Sequence, residues 1–108
     1  MVHKVIKYDK LIRDRIPEII EKHGNKAIVE VLDEQDYAKY LKLKLAEEMQ
    51  EYLDSGSVEE LADLVEVVYA LLDCAGVSHA EFEAIRKAKV EERGSFTKKL
   101  LLREVISK

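Results

Sequence analysis

Glu47-Glu48-Met49-Gln50-Glu51 and Glu60-Leu61-Ala62-Asp63 place five carboxylates in two short strings separated by a turn-like Asp54-Ser55-Gly56-Ser57. Both strings sit within helical periodicity. A hairpin at the turn folds the second helix back on the first, so the acids flank one connection. Carboxylates converging in this way repel one another unless water, a proton or a hard cation intervenes. Hard divalent ions such as Mg²⁺ take oxygen ligands and usually bring a phosphate-bearing ligand with them. The chemistry open to these residues is therefore metal-assisted work on a phosphate. The plain alternative is an acidic, solvated helix surface.

Helical geometry, at about 100° per residue, sorts the acids between these readings. Glu59, Glu66 and Asp73 recur every seven residues on a helix that is otherwise mostly apolar, and they form its solvent face. Glu60 and Asp63 fall instead on a strip shared with Val67, Ala70 and Cys74, which should pack against something. A capping box with Ser57 and the helix dipole would also account for Glu60, but explain Asp63 less well. On the preceding helix Leu41, Leu45 and Tyr52 define an apolar line, and Glu48 falls on it. Glu51 lies about 60° to one side of Glu48, and Glu47 about 40° beyond Glu51. An unpaired carboxylate at a core position is costly, so Glu48 demands a partner. Lys44 could pair with Glu47, Glu48 or Glu51 as part of a surface network.

Opposite charge is available from two places. Lys89 and Arg93 continue the line of Phe82 along the last helix, bordered by Arg86. They suit either a phosphate clamp or simple charge placement at a helix C-terminus. Lys10, Arg13, Asp14 and Arg15 cluster before Pro17, and Arg13 could bind a phosphate or pair with Asp14. His3, His23 and His79 are scattered beside loops or termini and read as surface residues. Cys74, the single cysteine, excludes an internal disulfide and reads as a small core residue. Tyr37, Tyr40, Tyr52 and Tyr69 read as core or interface residues, one of which could stack on a base.

The elements that must position these residues follow from start and stop signals. Asp14 is placed to cap a short helix with Pro17 in its first turn and a stop at Gly24. Ala27–Leu32 is β-rich and predicts a short strand. A long helix is expected from about Asp33–Asp36 to Leu53, and a second from Ser57 to Ala75, ended by Gly76. Ser78 with Glu81 opens a last helix ending before Gly94, and Phe96–Ile106 leans to strand. At 108 residues, with 47% hydrophobic and 37% charged residues, the chain is expected to be one globular domain, residues 1–108. The fold expected is mainly α, an antiparallel helix-hairpin bundle with at most two short peripheral strands. A net charge of −4 speaks against a general nucleic-acid binder. Neither a signal-peptide pattern nor a membrane span is legible, which points to the cytoplasm.

With Glu47-Glu48-x-x-Glu51 on one helix and Glu60-x-x-Asp63 on the next, the chain resembles the all-α nucleoside triphosphate pyrophosphatases, the MazG-like and phosphoribosyl-ATP pyrophosphohydrolase-like proteins. Tyr8-Asp9-Lys10-Leu11-Ile12-Arg13-Asp14-Arg15-Ile16-Pro17 is similar to the opening signature of one small branch of that group. Lys89-Val90-Glu91-Glu92-Arg93-Gly94-Ser95-Phe96 is similar to its helix exit. The resemblance spans nearly the whole chain. It implies Mg²⁺-dependent (or Mn²⁺-dependent) cleavage of a nucleotide between its α- and β-phosphates, giving a monophosphate and pyrophosphate.

Under that resemblance Glu47, Glu48, Glu51 and Asp63 hold metal, Glu60 is a ligand or an orienting group, and Glu48 or Glu51 activates water. Lys89, Arg93, Arg13 and Lys10 are the candidates to face the phosphates. The alternatives are the phosphoribosyl-ATP enzyme of histidine biosynthesis and a catalytically silent module that binds a nucleotide or a protein. The family's hairpins assemble as dimers or tetramers. The nearly all-round apolar Val58–Ala75 helix independently agrees, being more than so short a chain can bury alone. Only eight residues, Tyr52–Glu59, part the two acidic elements, shorter than the usual MazG spacing.

Overall fold

The computed structural model describes residues 3–107 and contains four helices: α1 (Ile16–Lys22), α2 (Glu34–Ser55), α3 (Val58–Cys74) and α4 (His79–Arg93). The expected mainly α fold is what forms. The chain divides into two compact units, Met1–Gly76 and Val77–Lys108. In the first, α2 and α3 pack against each other as an antiparallel hairpin. Gly56 makes the reversal possible. Its φ of +67° lies in the left-handed region, and its N–H donates to the Tyr52 carbonyl at 2.7 Å. A side chain there would strain the backbone, so glycine is the natural residue to close α2.

Capping explains where the helices begin. Asp33 accepts a hydrogen bond from the Asp36 N–H at 2.8 Å and starts α2. Ser78 accepts from the Glu81 N–H at 3.1 Å, and its hydroxyl donates to the Glu81 carboxylate at 3.2 Å, fixing the start of α4. The Ser57–Glu60 box does not form. Ser57 occupies the N-cap of α3 without a side-chain cap bond, and its hydroxyl is paired with Ser55. Nor does Asp14 cap α1. Arg15 is the N-cap, and Pro17, already holding a helical φ, opens the helix instead.

The core of the hairpin is thin. Leu41, 2% exposed, and Val67 face inward and are its buried apolar residues, with Leu45, Tyr52, Leu64, Val68, Leu71 and Leu72 half-buried around them. Glu59, Glu66 and Asp73 are exposed, as the sevenfold spacing requires. Several apolar side chains of the hairpin also remain open to solvent, among them Leu53, Val58, Leu61 and Val65.

Residues 27–32 form no strand, and neither do residues 96–106; there is no strand among the described residues. Ile28 and Val31 are 83% and 97% exposed. β-propensity supplies side chains that suit a sheet, but a strand needs a neighbour to take its backbone hydrogen bonds. Cys74 also departs from expectation. It is exposed in the last turn of α3, at the end of the hairpin away from Gly56.

The second unit carries α4 and the C-terminal residues. Glu83 and Arg86 pair along α4, and the guanidinium holds the Glu83 carboxyl below its usual range. Phe82 is half-buried while Ile85 is exposed. No helix among the described residues is long and apolar enough to cross a membrane.

Candidate metal centre

Glu48 sits on the inward line of α2 and is 6% exposed, a carboxylate where its neighbours along the helix are Leu41, Leu45 and Tyr52. Two turns of α3 oppose it and bring Glu60 and Asp63, three residues apart on one face, to the same place. One carboxylate oxygen from each of Glu48, Glu60 and Asp63 lies within 4.8 Å of the others. Three oxygen donors at that separation could hold a metal ion. Glu48 Oε2 and Glu60 Oε2 are both buried, and neither has a hydrogen-bond donor among the described residues. Native structures seldom leave such atoms orphaned, because an unpaired buried acceptor carries its full desolvation cost.

Protonation is the response available to the bare acids. Burial and the neighbouring Glu51 raise the Glu48 carboxyl above its ordinary value, against the pull of Lys44. Glu60 is pushed from 4.5 up to about 7 by loss of solvation and by the closeness of the Glu51 and Glu48 carboxylates. Carboxylates this close repel one another unless one carries a proton or a cation lies between them. At neutral pH the cluster therefore holds a share of a proton or requires another positive charge.

Glu47 stands apart from this trio. Its Oε1 accepts from Lys10 Nζ at 2.9 Å and its Oε2 from Lys44 Nζ at 3.3 Å. Burial alone would raise the Glu47 carboxyl, but the two ammonium groups outweigh it and hold the carboxyl below its ordinary range. Lys44 also reaches Glu48 Oε1 at 3.4 Å, so of the three partners open to it in the sequence it takes two. Glu51 is exposed on α2, close enough to influence both Glu48 and Glu60, but outside the trio.

The N-terminal residues lie against the same acids. Arg13 does not pair with Asp14; its Nη2 donates to Asp63 Oδ1 at 2.6 Å. Beside this contact is an open cleft of about 260 Å³ bordered by Lys10, Arg13, Lys44, Glu48 and Asp63 together with the apolar Ile12 and Ile16. A cleft with three cations and two acids suits a ligand that is itself a cation and an anion together. Sequence spacing gave no sign of these pairings, which join residues 37 and 50 positions apart. The only legible signal was a run of cations before Pro17.

Lys89 and Arg93 are exposed on α4, in the second unit, and neither makes an ion pair among the described residues. His23 turns its Nδ1 to the Ile19 carbonyl at 2.8 Å, a helix-end contact rather than a ligand position. Comparison with known protein families, with curated proteins and with solved structures finds no match.

Proposed function

We propose that the chain is a divalent-cation-dependent nucleotide pyrophosphohydrolase of the all-α, MazG-like kind, cleaving a nucleoside triphosphate or related nucleotide to a monophosphate and pyrophosphate. The observation that carries this reading is the buried Glu48 carboxylate, its Oε2 without a donor, one of whose oxygens converges with those of Glu60 and Asp63 from the opposite helix. An all-oxygen donor set with orphaned buried acceptors fits Mg²⁺ or Mn²⁺ better than a softer metal. Glu48, Glu60 and Asp63 would hold the ion, with Glu51 and Glu47 bordering it. The ion would supply neutralisation of charge on the phosphate oxygens.

The chain's own residues supply the rest. Lys10, Arg13 and Lys44 border the cleft and would bind and orient phosphate oxygens. Lys89 and Arg93 keep only the role the resemblance gives them, as candidate phosphate contacts. Glu51 or Glu48 would accept a proton from the water that attacks phosphorus. Glu48, whose carboxyl is raised above its ordinary value by burial and by Glu51, suits that task better than an ordinary surface acid. The motif pair Glu47-Glu48-x-x-Glu51 and Glu60-x-x-Asp63 supports the nucleotide as substrate class.

We place the protein in the cytoplasm as a homodimer or homotetramer, without nucleic-acid or membrane partners. Leu53, Val58, Leu61 and Val65, exposed along the hairpin, are the surface a second copy would cover. A light-scattering mass of 12.4 kDa at micromolar concentration, with full helix content, would refute the assembly.

The test of activity is a nucleotide panel with Mg²⁺, phosphoribosyl-ATP included, with products identified. Glu48→Gln and Asp63→Asn should abolish pyrophosphate release while retaining helix content. Normal turnover in either variant overturns the assignment, and tight nucleotide binding without any product points to a silent binding module.

A further inference from the structure

Asp63 serves two masters. It is one of the three acids whose oxygens converge, and it is also the partner of Arg13 at 2.6 Å. The charge that would attract a divalent cation is therefore already partly answered by a guanidinium from the N-terminal segment.

That segment is attached in a way that makes exchange cheap. Residues 3–13 carry no helix or strand, so no ladder of backbone hydrogen bonds ties them down. Their side-chain anchors are Lys10 on Glu47, Arg13 on Asp63 and the half-buried Leu11 and Ile12. Asp9 turns the backbone through the left-handed region at φ +46°, a conformation that Asp tolerates at small cost. Both ion pairs are partly solvated: Arg13 is 55% and Asp63 38% exposed at the side chain. Contacts of this kind open locally far more readily than packed helices do.

Resting on the divalent-cation reading of the acids, we propose that Arg13 is a cation-released latch. In the metal-free protein it is the counter-ion of Asp63. When a divalent ion enters among Glu48, Glu60 and Asp63, charge repulsion and loss of its partner's charge displace it. The guanidinium then turns from Asp63 further into the adjoining cleft, which Arg13 already borders together with Lys10 and Lys44. There its planar fork can take two oxygens of one phosphate. The device orders binding: cation first, anion second. By linkage each ligand then strengthens the other by the same factor. Lys10 differs from Arg13 because its partner, Glu47, lies outside the converging trio. It should remain seated when the ion enters.

Mn²⁺ titrated calorimetrically into the full nucleotide-free chain tests the latch without any turnover. Arg13→Gln removes the competing charge at an exposed position and should bind Mn²⁺ more tightly, by up to about fivefold, the most that an exposed ion pair of this type withholds. Lys10→Gln should change Mn²⁺ affinity less than Arg13→Gln does. In the wild type, Mg²⁺ should shift the backbone amide resonances of residues 11–14. Inorganic pyrophosphate should then bind the wild type only with Mg²⁺ present, and more weakly by about tenfold in Arg13→Gln. Equal or weaker Mn²⁺ affinity in Arg13→Gln overturns the latch and leaves the cation site standing. Failure of wild type and variant alike to bind Mn²⁺ overturns the cation reading, and the latch falls with it.

Discussion

Glu48→Gln should make the metal-free protein more stable while depriving it of its response to divalent ions. The substitution keeps the shape of a side chain that is 6% exposed, so packing against the hairpin core is unchanged. At pH 8 the wild-type carboxylate has a buried Oε2 with no donor, a defect worth about 1–3 kcal/mol. Against this, the variant gives up a largely buried contact with Lys44 at 3.4 Å; because Lys44 keeps Glu47 at 3.3 Å its ammonium is not left unpaired, and the loss is about 1 kcal/mol, that of one hydrogen bond. The new amide N–H can also donate to a neighbouring carboxylate. The balance favours the variant by about 1 kcal/mol, or a rise in Tm of about 4–8 °C for a domain near this size.

Thermal unfolding followed by circular dichroism, at fixed protein concentration in EDTA, reads that shift. Adding Mg²⁺ or Mn²⁺ should raise the wild-type Tm and leave the variant where it was. As pH falls the variant's advantage should shrink, because the Glu48 carboxyl, raised above its ordinary value by burial and by Glu51, takes up a proton. A variant less stable than wild type at pH 8 without metal, or one that keeps the full cation response, would refute the view that Glu48 is a buried charge awaiting an ion.

Four further outcomes are expected. Glu60, up at about 7 in the folded protein against 4.5 ordinarily, holds a proton through a window where the unfolded chain has lost its own. Its contribution to metal-free stability is thus fully present below about pH 4.5 and is lost as pH rises through about 7. Subtracting a Glu60→Gln profile from the wild-type one should isolate that slope, and a flat difference would contradict it. Cation binding near pH 6.5 should accordingly release a proton, seen as a buffer-dependent heat. Leu41→Ala should cost about 2–3 kcal/mol in urea unfolding, the lower part of the range for a buried leucine, because half-buried neighbours can close in. A loss under about 1 kcal/mol would mean Leu41 is not the centre of the hairpin. Lys89→Ala with Arg93→Ala should weaken nucleotide binding roughly tenfold and leave Mg²⁺ binding nearly unchanged. Unaltered nucleotide affinity would return both residues to simple charge placement at the end of α4.

Local signals determined the helices. Asp33, Gly56, Ser78 and Gly94 act through bonds to residues within four positions, so the sequence alone locates the ends of α2 and α4 to within a residue or two. Periodicity likewise separated Glu59, Glu66 and Asp73 from Glu48, Glu60 and Asp63, because exposure follows from which side of a cylinder a residue occupies. It also marked Lys44 as a partner for Glu47 and Glu48, one turn away on the same helix.

Tertiary structure decided everything that depends on what faces what. Ser57 and Glu60 spell a capping box, yet Glu60 turns to Glu48 and Glu51 once α2 is packed opposite, and Ser57 pairs with Ser55. Ala27–Leu32 has the composition of a strand and no neighbour to complete one. Asp14 is next to Arg13 along the chain, but folding brought Asp63 to 2.6 Å from the Arg13 guanidinium. Local rules are read along a single segment. A strand, a counter-ion and a shared proton each need a second segment, and no spacing within the first says which one will arrive.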